Sequence, residues 1–263
     1  MPHSAYLVTY PVAIVGAGPG DPELLTLKAL RRIEQAEVIL YDNLVSDAIR
    51  SLFPATAEAL YVGKKRHNHS LSQDKIEQKM VALAQQGKKV VRLKGGDPFI
   101  FGRGSEELLT LKQHGIKAEV IPGITAASGC GSAADIPLTH RGLSQGCTFV
   151  TGHGSDEDPI DWSYLASCRH TLVFYMGLNA LPQIRNQLIS NGMVDTTPVA
   201  LVENGCRPKQ RVIRTTLAAM STDSIRHQLQ TPTLIYVGDV VSLAQTNHQS
   251  LPHTLPLLAK ESA

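Results

Sequence analysis

The chain is predicted to be an α/β protein whose first half carries a mainly parallel sheet. Two observations predict it: short β-branched runs alternate with amphipathic helical stretches, and the first and third runs each end in a glycine turn. PVAIVG reads as the first strand. A helix follows from Pro22 to Ala36, in which Leu25, Ala29, Ile33 and Ala36 form one buried stripe and Arg31, Arg32 and Glu34 are left to water. Asp21 is a suitable N-cap and Pro22 suits the first helical position, where its missing N–H is no loss. EVILYD reads as the second strand, followed by a polar loop, the helix SQDKIEQKMVALAQQG and the strand KKVVRL. GSEELLTLKQHG is a further helix and AEVIPG a further strand. The small residues of ITAASGCGSAA would let a helix or its neighbour come close to backbone.

From GCTFVTGH onward the pattern changes. The strands HTLVFYMG, TPVALVENG, RVIRTTL and TPTLIYVGD follow with only one long helical insert, LPQIRNQLISNG, and a shorter one, DSIRHQL. Antiparallel pairing is expected here. A boundary near residues 136–146 divides the chain into a first α/β domain, 11–136, and a second with a mixed sheet, 146–245. The stretch 246–263, polar, with prolines and without periodicity, is expected to be a loosely held tail.

A length of 263 residues suits one large or about two ordinary domains, and 43% hydrophobic residues suffice for a core. With 25 basic and 23 acidic side chains the formal charge is +2, which argues against nucleic-acid or membrane-surface partners. Cys130, Cys147, Cys168 and Cys206 form no C-x-x-C pair, as expected of reduced thiols in a cytoplasmic protein. The N-terminus lacks a targeting pattern, and no window approaches a membrane span of roughly 18 apolar residues. His67 and His69 have no third ligand close in sequence, so no metal is expected.

The stretch VAIVGAGPGDPELL poses the functional question. A dinucleotide fingerprint, G-x-G-x-x-G, would need glycine where Asp21 stands, and the G-K-[ST] of a phosphate-binding loop is missing. The pattern present, with Gly16, Gly18 and Gly20, is similar to the nucleoside-binding turn of Rossmann-type methyltransferases, although Ile14 occupies the place of their usual acid. Asp42, ending the second strand, is positioned as a ribose-binding acid would be. The same glycines serve equally well to supply positive φ and let the helix pack. A second turn follows the third strand in VVRLKGGDPFIFGRGSEEL, where Gly95 and Gly96 expose bare backbone before Asp97-Pro98 at a carboxyl end of the sheet. A tight turn without a ligand is the alternative there. Phe99, Ile100 and Phe101 add apolar walls, and Arg103 with Glu106 brings opposite charges together.

GAGPGDPELLTLKAL, LYDNLVS, VGKK, VVRLKGGDPFIFGRGSEEL, VIPGITAASGC, IPLTHR, VTGH, TLVFYMGL and PVALVENG, taken in order, resemble the uroporphyrinogen-III C-methyltransferases of the tetrapyrrole methylase superfamily over roughly residues 11–245. The resemblance is to the stand-alone form, without the dehydrogenase and chelatase module to which some relatives are fused. It implies two α/β domains with the active site in the cleft between them, and a homodimer. It also implies S-adenosylmethionine as methyl donor, S-adenosylhomocysteine as product, and uroporphyrinogen III methylated at C2 and C7 to precorrin-2 by way of precorrin-1. The family's cofactor positions fall on Pro19, Gly95, Gly96, Asp97, Ile100, Thr125, Ala126, Met176 and Gly205. Asp42 matches its proton acceptor and Lys64 its proton donor, while Arg103 is a third catalytic candidate. On residue type alone Asp42 could equally be a turn residue, Lys64 a solvated charge, and Arg103 with Glu106 a surface ion pair.

The substrate's acidic arms call for arginine and lysine, and Lys64, Lys65, Arg66, Arg141, Lys209 and Arg211 are candidates. Departures from the family pattern are Ala133 in place of a common tyrosine, Asp135 in place of glycine and Cys206 in place of threonine. Three alternatives stay open: a later corrin-ring methylase, an NAD-dependent oxidoreductase using the Gly16 turn, and a non-catalytic cofactor-binding protein.

Overall fold

The computed structural model describes residues 10–63, 72–152 and 159–244. Five strands, β1 (Val12–Gly16), β2 (Val38–Tyr41), β3 (Glu58–Tyr61), β4 (Val90–Lys94) and β5 (Ala118–Ile121), form one parallel sheet in the order β3-β2-β4-β1-β5. Central β1 is apolar on both faces because both are covered. Ala13 and Val15 pack with Ala29 and Ile33, while Val12 and Ile14 pack with Ile76, Met80 and Leu111. Those partners lie on α1 (Leu27–Glu34), on α3 (Gln73–Gln85) and on α4 (Gly104–Gln113).

The stretch Pro22–Ala36 is not one helix. Pro22–Leu24 is a single 3-10 turn whose Glu23 N–H donates to Asp21 Oδ1 at 2.9 Å; Leu25 is extended, and α1 starts afresh where Ala29 N–H donates to Thr26 Oγ1 at 3.1 Å. The predicted stripe is still buried at Ala29, Ile33 and Ala36. Arg32 is not left to water, because it and Lys28 pair with Glu119 on β5. Within the stretch assigned to a polar loop, the chain also forms the short helix α2 (Asp47–Arg50) and the edge strand β3.

The second sheet orders its strands β6-β7-β10-β8-β9, from β6 (Gly146–Thr151), β7 (His170–Tyr175), β8 (Pro198–Glu203), β9 (Arg211–Thr216) and β10 (Thr233–Val237). Only β6–β7 is parallel; the other pairs are antiparallel. One face buries Leu172, Phe174, Leu201 and Ile235 against Leu165 of α6 (Trp162–Ser167), Ile184 of α7 (Leu181–Ser190) and Met220 of α8 (Met220–Arg226). Helix α6 was not expected from the sequence pattern.

The other face buries Val173, Ala200, Val202 and Tyr236 against Ala127 and Cys130 of α5 (Ala126–Ala133). Helix α5 therefore shares its core with the second sheet although it precedes the expected boundary. Its small residues make that possible. A Cβ on Gly131 would lie 2.9 Å from the Ile136 carbonyl oxygen, and one on Gly129 would lie 2.6 Å from Pro19 Cγ in the first glycine turn. One helix thus touches the second sheet on one side and a turn of the first sheet on the other.

Thr26→Ala is expected to cost about 1 kcal/mol, the usual worth of a lost N-cap. Asp21→Ala, which uncaps only a single 3-10 turn, should cost less. Urea midpoints of the two variants check the order.

Candidate active site

Three glycines meet where β1, β4 and β5 end. A Cβ on Gly16 would lie 2.5 Å from Gly123 N and 2.7 Å from the Gly96 carbonyl oxygen, and a Cβ on Gly123 would lie 2.3 Å from that same oxygen. Side chains are excluded at both positions. Gly18 N–H donates to the Gly96 carbonyl at 3.1 Å and Gly96 N–H to the Gly18 carbonyl at 2.7 Å, with φ of 69° at both residues. The first glycine turn therefore spends its bare backbone on the second. The Asp97 carboxylate fastens the same corner, accepting from Phe99 N at 2.8 Å and from Gly123 N at 3.1 Å.

The double-glycine turn borders the start of α5. A Cβ on Gly96 would meet only Ala126 N, at 3.7 Å. Thr125 Oγ1 and the Tyr175 hydroxyl are 2.5 Å apart, and that hydroxyl accepts from Ala127 N at 2.9 Å. Burial pushes the Tyr175 phenol above its ordinary pKa, so it remains a neutral hydroxyl. Its ring lies 4.9 Å from that of Phe101, and the next residue, Met176, is 57% exposed. Gly205 packs so closely on α5 that a Cβ would fall within 2.3 Å of Cys130 Sγ. These contacts set Gly96, Asp97, Thr125 and Ala126 at the start of α5 and Pro19 and Gly205 along it, against Gly129 and Cys130, while Met176 follows Tyr175 in the chain. Ile100 stays with its own turn, its N–H donating to the Asp97 carbonyl at 3.3 Å. Phe101, Arg103, Met176, Asn204 and Cys206 all hold left-handed φ, between 50° and 59°. Such conformations collect where a site fixes its backbone.

Asp42 follows β2. Its Oδ1 accepts from Leu44 N at 3.0 Å and its Oδ2 from Arg92 Nη2 at 3.1 Å. Leu44 in turn abuts Gly95, where a Cβ would lie 2.5 Å from Leu44 Cβ. Asp42 is thus tied to the double-glycine turn by one intervening residue. Behind it lies a buried charge network that the sequence reading missed: Arg92 Nε and Lys94 Nζ approach Glu107 Oε1 at 3.0 and 2.9 Å, with Arg92 4% and Glu107 0% exposed. Burial, reinforced by the charge of Arg92, pushes the Lys94 amine below its ordinary pKa, while Glu107 acts against the shift. The available signal was a pair of cations at alternate positions of an otherwise apolar strand. Tyr175, too, was not singled out.

Arg103 and Glu106 form an exposed ion pair, Nε to Oε1 at 2.9 Å. Arg211 is a correction: its guanidinium holds Glu203 Oε1 at 2.8 Å and the His227 carbonyl at 3.0 Å, which commits it to the β8–β9 pair rather than to an acidic ligand. This pairing holds the Glu203 carboxyl below the usual carboxylate range. Arg141 and Lys209 are exposed, whereas Lys64, Lys65, Arg66, His67 and His69 lie outside the described residues. Asp135 has φ of 56°, a conformation in which glycine is more at ease. Among the described residues no group of three His, Cys, Asp or Glu is arranged to hold a metal, and no helix is long and apolar enough to cross a membrane.

Residues 11–221 match the family of tetrapyrrole (corrin/porphyrin) methylases. The chain belongs to this family. Among solved structures, the methylase is similar to the uroporphyrin III C-methyl transferase of Thermus thermophilus, with TM-score 0.76 and 38% identity over 88% of this chain and 93% of that one. A structure of the Thermus protein complexed with S-adenyl homocysteine matches with TM-score 0.76 and 40% identity, over 88% and 99% of the two chains. A cobalt precorrin-4 methyltransferase of cobalamin biosynthesis matches with TM-score 0.80 and 27% identity, over 90% and 99%.

A siroheme synthase of Pseudomonas fluorescens is 53% identical over 242 residues, covering 92% of this chain and 52% of that relative. The chain spans about half the length of the curated relatives it matches. The methylase's strand order β3-β2-β4-β1-β5 also departs from the 3-2-1-4-5-6 order of the dinucleotide fold. Together with the family match, this order gives the oxidoreductase alternative no support.

Glu107→Ala, which strands two buried cations, is expected to cost about 3–5 kcal/mol. Asp42→Asn, at the partly exposed end of the network, should cost less than about 1 kcal/mol. Thermal and urea unfolding of both variants check the contrast.

Proposed function

We propose that this tetrapyrrole methylase transfers two methyl groups from S-adenosylmethionine to uroporphyrinogen III, at C2 and C7, giving precorrin-2 by way of precorrin-1. The observation that carries this reading is the half-buried Gly95–Gly96–Asp97 backbone set against Thr125 and Ala126, in a chain similar to a Thermus enzyme that was crystallised with S-adenyl homocysteine.

The residues present fit such a donor. Gly96 leaves open the space a Cβ would fill, the Thr125 and Tyr175 hydroxyls supply polar partners, and Phe101 and Met176 supply an apolar wall. Pro19, Gly95, Gly96, Asp97, Ile100, Thr125, Ala126, Met176 and Gly205 would hold it. When bound, S-adenosylmethionine supplies a methyl group on a sulfonium, already an activated electrophile. Orientation is then the protein's main contribution, and alignment of this kind is worth up to about 7–11 kcal/mol.

Attack by a pyrrole carbon leaves a proton to be lost, and Asp42 accepts it while Arg92 keeps the carboxylate aimed. Lys64 acts as proton donor. Arg103 either assists proton transfer or engages an acidic arm of the macrocycle, and Lys65, Arg66, Arg141 and Lys209 take up the remaining arms. The halves 11–136 and 146–245 form the cleft walls, and two copies assemble as a homodimer. A later corrin-ring methylase is the second reading, favoured by the TM-score of 0.80 and disfavoured by the 27% identity.

Incubation with S-adenosylmethionine and uroporphyrinogen III should yield precorrin-2 or a red fluorescent trimethylated overproduct. Transfer only to a later cobalt-containing corrinoid would favour the second reading. Asp97→Ala, which unfastens the turn from Gly123 N, should weaken S-adenosylhomocysteine binding about tenfold by calorimetry. Asp42→Asn should slow methylation by about 10²–10⁴-fold and leave that affinity intact.

A further inference from the structure

Arg207 lies in the connection from β8 to β9, two residues after Gly205, and its side chain crosses to the first half of the molecule. Nε donates to the Pro19 carbonyl at 3.3 Å and Nη2 to the Leu44 carbonyl at 2.7 Å. Each acceptor belongs to a loop that carries the site. Pro19 is in the first glycine turn. Leu44 has its N–H on Asp42 Oδ1 and its Cβ against Gly95.

The local sequence accommodates this crossing. Gly20 has φ of 137°, and a Cβ there would lie 2.6 Å from Arg207 Nε and 2.9 Å from its Cγ, so the bare residue makes way for the arginine stem. Ser46 Oγ donates to the Gly20 carbonyl at 2.6 Å, joining the two acceptor loops. The base of the arginine is anchored as well: Cys206 N–H donates to Gln210 Oε1 at 2.8 Å, and Gln210 Nε2 donates to the Ala133 carbonyl at the end of α5, also at 2.8 Å.

Among the described residues no carboxylate pairs with Arg207. A half-buried guanidinium that serves only backbone carbonyls is a costly device for stability, since its charge is desolvated without a counter-ion. Its geometric effect is specific. It fixes the distance from the Gly205 loop to the loops carrying Pro19 and Asp42.

We propose that Arg207 is a positioning residue for methyl transfer, holding the Asp42 loop and the first glycine turn to the Gly205 loop so that proton acceptor and donor site keep one spacing across the cleft. This rests on the methyltransferase reading. Each sheet has its own core, so the fold does not depend on the crossing.

The test compares the wild-type chain with Arg207→Met and Arg207→Lys. Calorimetry with S-adenosylhomocysteine gives affinity and the fraction of competent sites, and steady-state methylation of uroporphyrinogen III gives kcat and KM per competent site. Arg207→Met is expected to lower kcat about a hundredfold, the cost of a misplacement near 1 Å, with KM and affinity changed less than about threefold. Arg207→Lys, whose ammonium can reach one of the two carbonyls, should recover part of that loss. Wild-type kcat per competent site in Arg207→Met overturns the inference alone, as does a loss explained wholly by fewer competent sites. A wild-type chain that neither binds S-adenosylhomocysteine nor methylates uroporphyrinogen III overturns the function reading and this inference with it.

Discussion

The Gly96 carbonyl lies between the backbones of Gly16 and Gly123 so closely that neither could carry a Cβ. That three-way backbone contact shapes everything around it. Because β4, β1 and β5 are neighbours in the sheet, their carboxyl ends converge on one point, and only glycine lets three chains turn there together. The motif that opens the chain is thereby a strut. It braces the double-glycine turn, which is left to face α5 with the space beside Gly96 open. Here one turn supports its neighbour at the carboxyl edge of a parallel sheet, the edge where α/β proteins bind ligands.

Charge placement follows the same division. Arg92 and Lys94 alternate with apolar residues on β4 and face α4, where Glu107 answers both. Buried ion pairs of this kind add little net stability, because desolvation offsets most of the attraction. What the network does provide is direction. One face of the Arg92 guanidinium is occupied by Glu107 and the Leu93 carbonyl, leaving Nη2 for Asp42. A carboxylate at the rim of the sheet is so held by a cation that cannot itself swing into water.

Much of this was legible in the sequence and some could not be. Periodicity located the Ala29–Ile33 stripe, the antiparallel second half and both glycine turns, since each depends on neighbours in the chain. It did not distinguish Asp21 from Thr26 as the helix cap: both residues can cap, and the choice rests on Leu25 being extended. The strand β3 was missed because it is a four-residue edge strand whose first two residues are exposed. Arg211 was expected near an acidic ligand, yet the β8–β9 register sets it directly opposite Glu203, and such cross-strand pairing appears only once the register is known. Arg92 with Glu107 and Arg207 with Pro19 and Leu44 join residues 15, 188 and 163 positions apart, beyond any local pattern. Met176 and Gly205 came from family resemblance, not from spacing.

The most direct measurement is a crystal structure of the chain with S-adenosylhomocysteine bound. The expected result is the ligand against the Gly95–Gly96 main chain beside Thr125 and Ala126, with the Gly16–Gly96–Gly123 contact unchanged. Ligand lodged in the Gly16 turn, or bound away from the double-glycine turn altogether, would contradict the division of labour between the two turns.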